Sequence, residues 1–284
     1  MNKIIRKEQF SEKVFLLEVE APLIAKSRRA GHFVIIRVDE KGERIPLTIA
    51  DSDVQKGTIT LVVQTVGLTS TKLCRMNEGD MILDVVGPLG QATHIDNFGT
   101  VICAGGGVGV APMLPIIQSL KAAGNRVISV LAGRSKDLII LEDNVRENSD
   151  EVIIMTDDGS YARQGNVCVP LNEMLAAGET FDEIITIGPL IMMKFVVAAA
   201  KPYNVPVTAS MNPIMIDGTG MCGGCRLTLN VDGKKVTKFA CVDGPDFNGY
   251  EIDFDEAMSR GRMYCDFERH AYEKACNLFK KEAK

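Results

Sequence analysis

The sequence predicts a β + α/β protein: an antiparallel β-barrel, then a doubly wound α/β domain with a parallel sheet, then a small loop-rich cysteine module. Three observations predict it. Residues 1–97 break into short alternating apolar and polar runs separated by Gly, Pro and Asp. Residues 98–206 alternate strand-like apolar runs with helical stretches. Residues 207–254 gather three of the eight cysteines, Cys222, Cys225 and Cys241, among glycines.

In the first region the runs KVFLLEVEA, GHFVIIRV, RIPLTIAD, GTITLVVQTV and DMILDVVGPLG have the period and spacing of strands in a small barrel. The second region reads TVICAGG, APMLPIIQSLKAAG, RVISVLAGR, LIILEDNVREN, EVIIMTDDG, VPLNEMLAAG and EIITIGPLIMMKFVVAAAK, the alternation of a doubly wound sheet. A charged, helical tail covers residues 255–284, where Tyr272, Ala275 and Phe279 fall at helical spacing. That stripe can dock on the chain's own body or on a partner. The uncharged run Thr100–Leu120 has the length of a membrane span, but its glycines, with Pro112 and Pro115, instead favour a buried strand, a turn and a helix start.

Composition narrows the function. A formal net charge of −5 and no basic cluster argue against a nucleic-acid or anionic-membrane partner. The N-terminus lacks the apolar stretch and small residues of a secretory signal, so a cytoplasmic location is expected. Eight cysteines in such a chain suit ligands and free thiols better than a disulfide framework. His32, His94 and His270 fall in no acid–base or nucleophilic constellation, and His32 reads as the start of a barrel strand.

The glycine turn AGGGVGVAPM follows a buried strand. Gly105, Gly106, Gly107 and Gly109 let the backbone pass close to a pyrophosphate at the following helix N-terminus. Its spacing ends in Pro112 where the ordinary dinucleotide fingerprint ends in Gly, and a ligand-free strand-to-helix turn is the alternative. In the cysteine module the spacing is Asp217-x4-Cys222-x2-Cys225-x15-Cys241. That is the plant-type [2Fe-2S] arrangement with Asp in place of the first Cys. Structural zinc is an alternative, although zinc sites do not need this glycine density. Cys265 or solvent as fourth ligand is another, with Asp217 then a turn residue beside Gly218.

GGVGVAPM (with Val108) resembles the nicotinamide-binding turn of the ferredoxin reductase family, a flavin barrel followed by a nucleotide domain. RIPLTIA, with Arg44, Pro46, Leu47 and Thr48, resembles that family's flavin motif. The commonest spacing puts Arg three residues before the hydroxyl, where this chain has Ile45, which leaves open the arginine that meets the flavin phosphate. VGLTSTKL, with Gly67, Ser70 and Thr71, resembles the diphosphate stretch. GPLG (Gly87–Gly90) resembles the turn that closes the barrel, and IGPLIMM, with Gly188, Pro189 and Met192, the second nicotinamide loop. The resemblance implies FAD on the barrel, NAD(H) on the α/β domain and Thr48 near the reactive flavin atom. Asp157 and Asp158 would repel a 2′-phosphate and accept ribose hydroxyls, favouring NAD(H) over NADP(H), while Arg134 pulls the other way.

MCGGC and ACVDGPDFNG resemble the cluster domain of the electron-transfer subunit of dihydroorotate dehydrogenase, which normally has four Cys. SMNPIMIDGTGMCGGCR and EIDFDEAMSRGRMYCDFERH more closely resemble the small subunits of NADH-dependent reduced ferredoxin:NADP+ oxidoreductases, also labelled sulfide dehydrogenase subunits. The resemblance implies a flavin-binding barrel (1–97), an NAD(H)-binding α/β domain (98–206), a [2Fe-2S] module (207–254) and a helical tail (255–284). It also implies an Asp/Cys3 cluster, a larger flavin and iron–sulfur partner subunit in a heterodimer, ferredoxin reached through that partner, and bifurcation on the partner. Service to a dihydroorotate dehydrogenase, or a non-catalytic iron–sulfur redox sensor, are the alternatives.

Overall fold

The computed structural model describes residues 1–282, and the side chains of residues 1–275. Its first seven strands are β1 (Asn2–Ser11), β2 (Val14–Glu20), β3 (Phe33–Arg37), β4 (Arg44–Asp53), β5 (Thr58–Gln64), β6 (Met81–Ile82) and β7 (Asp84–Leu89). Helices α1 (Pro22–Ser27) and α2 (Leu68–Arg75) interrupt them. They form one antiparallel sheet in the order β6-β1-β2-β5-β4-β3-β7. The two edge strands are one run of chain broken only at Leu83, so a single segment covers both edges and the sheet curls into a barrel. Period-2 alternation divides β3 between two cores. Val34 and Ile36 pack inside the barrel with Leu17, Ile49 and Leu61, whereas Phe33 and Ile35 face outward into a core shared with the rest of the chain.

The second sheet is built from β8 (Thr100–Gly106), α3 (Val110–Ala122), β9 (Arg126–Gly133), α4 (Glu142–Glu147), β10 (Glu151–Thr156), β11 (Arg163–Gln164), α5 (Cys168–Ala176), β12 (Glu183–Ile187), α6 (Leu190–Ala200) and β13 (Val207–Ser210). After it come the hairpin β14 (Arg226–Val231) and β15 (Lys234–Phe239), then β16 (Asp246–Asn248), α7 (Phe254–Gly261) and α8 (Cys265–Glu282). The strand order is β11-β10-β9-β8-β12-β13-β16, parallel throughout except for β16 at the edge. The chain winds outward in one direction from β8 and in the other from β12, so the topological switch lies between these neighbours. Both β13 and β16 lie beyond residue 206, and they complete this sheet rather than belonging to a separate module.

The long uncharged run resolves into β8, a glycine turn and α3, and among the described residues no helix is long and apolar enough to cross a membrane. Helix α3 is apolar nearly all round because it is covered on two sides, by the sheet (Val101, Val127, Ile185) and by barrel residues Val14 and Ala50. Polar contacts fix the same junction. The buried Asn125 amide accepts from the Phe98 and Gly99 amides and donates to Asp96 O and Leu120 O, so a single side chain satisfies the backbone of the linker into β8. Thr93 donates to Asp246 Oδ2 at 2.6 Å, tying the end of the barrel to β16.

His32 enters β3 as expected, buried, with its Nδ1 accepting from the Arg29 amide at 3.1 Å. Burial, with the charges of Arg29 and Arg28, holds it below the ordinary value of 6.5. The unfolded chain therefore takes up a proton that the folded chain resists as pH falls, and stability is lost below about 6.5. We expect wild-type urea midpoints to fall between about pH 7 and pH 5.5, and to fall less in His32→Gln. Equal losses in the two proteins would show that His32 is not responsible.

Candidate functional site

The carboxyl ends of β8 and β12 open onto a cleft of ≈ 780 Å³ that also runs over the barrel. Its volume lies in the range of cofactor sites. The glycine turn and the loop after β12 can meet there because neither carries a side chain at the point of contact. A Cβ on Gly109 would lie 2.5 Å from Ile187 O, and one on Gly106 would lie 2.4 Å from Met192 Sδ. Gly106, Gly107, Val108, Gly109 and Pro112 line one wall, with Gly188 and Pro189 beside them. Gly105 lies one residue behind the wall, against Met113, and Met192 supports Gly106 and Gly188 from below; neither lines the cleft.

From the barrel, Pro46, Leu47 and Thr48 of β4 face the cleft, as do Gly67 and Ser70 at the start of α2. The Ser70 hydroxyl accepts from the Val66 and Gly67 amides at 3.1 and 3.0 Å, closing the turn. The first-turn amides of α2 are left without helical partners, which makes this end an anion site. Thr71 does not reach the cleft, and its buried hydroxyl has no partner. Arg44 is exposed and also off the cleft, and its charge acts instead on Asp217. Arg134, Asp157 and Asp158 come together at the carboxyl ends of β9 and β10, where the Asp158 amide donates to Arg134 O and the Asp157 amide to Gly133 O, outside the cleft.

Sequence reasoning missed several lining residues. Glu43 and Gln64 flank the barrel motifs, and Ser210, Asn212 and Met215 lie in the SMNPIMIDGTGMCGGCR stretch, where the ligand spacing is the only site signal. Helix α8 adds Cys265, Glu268, Arg269, Ala271 and Tyr272, so the tail docks on the chain's own body, over the cleft. Tyr272, from the helical stripe, is the one signal that pointed there; the Phe279 side chain lies outside the described residues.

The cysteine module packs on the barrel and the α/β sheet at once. Cys225, Cys241 and Met215 share a core with Phe33 and Ile35, and both Met215 and Phe33 also line the cleft. The Cys225 and Cys241 thiols are buried 3.2 Å apart. Burial, with the neighbouring Cys225, pushes the Cys241 thiol up to about 12. Cys222 is exposed and accepts from the Gly224 amide at 3.4 Å. Asp217 is half-buried; its Oδ2 accepts from the Thr219 hydroxyl, and from the Thr219 and Met221 amides at 3.1 and 3.4 Å, which hold it below the ordinary carboxylate value. Among the described residues no three His, Cys, Asp or Glu converge as a single-metal site requires.

Residues 212–253 match the iron–sulfur cluster binding domain of dihydroorotate dehydrogenase B. The chain is 46% identical over 274 residues to the Thermotoga maritima dihydroorotate dehydrogenase B electron transfer subunit homolog, covering 96% of this chain and 95% of that protein. A solved chain of the NADH-dependent reduced ferredoxin-NADP oxidoreductase, described for flavin-based electron bifurcation, is 44% identical with a TM-score of 0.89, covering 97% of this chain and 98% of that one. The ferredoxin reductase in carbazole 1,9a-dioxygenase, 15% identical with a TM-score of 0.57 over 72% of this chain and 65% of that one, shares the fold.

Gly109→Ala tests the cleft. Its Cβ meets a backbone carbonyl that cannot rotate aside, so the substitution is expected to cost about 2–3 kcal/mol in chemical denaturation. A loss within experimental error of zero would mean that the two loops are not held as closely as described.

Proposed function

Because the chain belongs to the family of the electron transfer subunit of dihydroorotate dehydrogenase B and its homologues, we propose that it is an oxidoreductase subunit passing electrons between NAD(H), FAD and a [2Fe-2S] cluster to a partner flavoprotein subunit, as in NADH-dependent reduced ferredoxin-NADP oxidoreductase. One observation carries the reading. A single cleft is lined by the barrel motif, the glycine turn and Met215, and Met215 packs in the same core as two cluster cysteines. FAD, when bound, takes two electrons from NADH as a hydride and releases them singly, the form an iron–sulfur cluster accepts.

The chain's own residues hold, orient and exclude. In this reading the α2 amino end, from Gly67 to Ser70, receives the flavin diphosphate, and Thr48 offers its hydroxyl beside the reactive ring. Gly106 to Gly109, Pro112, Gly188 and Pro189 admit the nicotinamide to the same cleft, while Gly105 and Met192 hold that wall in place. Asp157 and Asp158 accept the ribose hydroxyls, so NADH is preferred to NADPH despite Arg134. Asp217, Cys222, Cys225 and Cys241 would hold the cluster, the buried thiols of Cys225 and Cys241 already lying side by side. Arg44 accompanies Asp217 rather than the flavin phosphate.

The four units of the reading are a flavin barrel (1–97), a nucleotide domain (98–206, whose sheet β13 and β16 complete), a cluster module within 207–254 and the tail (255–284). The partner is a larger flavin and iron–sulfur subunit through which ferredoxin is reached, in the cytoplasm. Supply of electrons to a dihydroorotate dehydrogenase is the second reading, favoured by the similarity to that enzyme's electron transfer subunits, and the partner that co-purifies separates the two.

Anaerobic NADH added to the purified chain should bleach the flavin band and raise a reduced [2Fe-2S] EPR signal, with about two irons per chain. Bound zinc, or no flavin, would end the reading. Asp217→Ala should lower iron content and shift the EPR spectrum, while Asp217→Cys should keep the iron and change the g values. An unaltered spectrum in Asp217→Ala would remove Asp217 from the ligand set.

A further inference from the structure

The cleft's charges do not match its proposed occupant. Among the described residues that line it, the charged ones are Glu43, Glu268 and Arg269: two carboxylates and one guanidinium. A flavin dinucleotide brings a diphosphate with two further negative charges. The Glu43 carboxylate lies beside the α2 amino end, where it accepts from the Thr69 hydroxyl at 3.2 Å, so the amides there already face an anion. Helix amides alone would meet the diphosphate in a field of like charge.

The barrel's nearby cations are engaged elsewhere. Lys72, on α2, pairs with Asp39 at 3.1 Å, Arg37 with Asp84 at 2.7 Å, and the exposed Arg44 does not line the cleft. Arg269 differs. It lies on α8, which packs against α2, and it lines the same cleft as Gly67 to Ser70. Among the described residues its ion pair is with Asp266 at 3.6 Å, the two side chains 68% and 97% exposed, a surface pair worth little and easily exchanged for a phosphate. A guanidinium is also the side chain best shaped to take phosphate oxygens two at a time.

On the reading that this cleft is the FAD site, we propose that Arg269 of the C-terminal helix supplies the counter-charge for the cofactor diphosphate, in place of the barrel arginine. The tail is then part of the flavin site and not an appendage. Removing it would loosen the cofactor by removing charge as well as cover.

The test titrates the flavin-depleted full-length chain with FAD, and separately with riboflavin, which has the same ring and no phosphate, following flavin fluorescence. Arg269→Gln should weaken FAD binding by about 10- to 100-fold and flatten its salt dependence, while riboflavin binding changes by less than about twofold. Arg269→Lys should recover part of the loss. Lys274→Gln, exposed on the same helix and off the cleft, should leave FAD binding unchanged. Wild-type FAD affinity in Arg269→Gln would overturn the proposal and leave the flavin reading intact. An equal loss for FAD and riboflavin would also overturn it, because Arg269 would then only hold α8 in place. A wild-type chain that binds neither flavin would overturn the reading of the cleft itself.

Discussion

The close approach of the glycine turn to the loop after β12 sets the geometry on which the rest of the site depends. At a topological switch point, two strands end side by side and their loops diverge, leaving a crevice. Here the crevice can form only because backbone meets backbone at Gly109 and Ile187, and because Gly106 leaves room for the Met192 sulfur. Helix α3 leaves that turn wedged between the sheet and barrel strand β4, so the position of the crevice relative to the barrel follows from the same packing. A residue with a side chain at Gly109 would push apart both walls of the site.

The cysteine module depends on this arrangement. Its inner pair, Cys225 and Cys241, has no core of its own to sink into; it shares one with Phe33 and Ile35 of the barrel and with Met193 and Val196 of α6. β16 reinforces the attachment by adding to the sheet beside β13. The unit that holds the metal ligands is thus fastened to both units that line the cleft, and Phe33 and Met215 belong to the cleft and to that shared core. Electron transfer over such a span needs no moving part, only packed contact.

The sequence made the architecture legible where periodicity and glycine spacing are strong. The alternating runs of the barrel, the strand–turn–helix of residues 100–122 and the Asp217-to-Cys241 spacing each report a local constraint that the chain must satisfy by itself. Other features depend on tertiary contact, which a local pattern does not encode. β16 is a three-residue strand defined only by its neighbour β13. Arg44 sits in a motif at the edge of β4, but the side chain leaves the cleft and faces the cluster loop. Helix α8 has a polar, mostly exposed surface, and nothing in its residues says which part of the chain it will cover until the fold brings α2 beneath it.

The four residues proposed to hold the cluster also differ in what surrounds them. Cys225 and Cys241 are sealed beside Phe33 and Met215, on the side of the cleft. Cys222 is exposed and Asp217 half-buried, and their neighbours Ile216 and Met221 are 51% and 89% exposed. The Asp217 carboxylate has its charge met by the Thr219 and Met221 amides, whereas at the buried position desolvation would oppose a charge, as it does for the Cys241 thiol. The Asp therefore occupies the position at which it disturbs the fold least. Large apolar side chains left in water around it mark the same edge as a surface for protein contact. If these residues hold the cluster as proposed, its buried side is the one nearer the cleft, where Phe33 and Met215 belong to both.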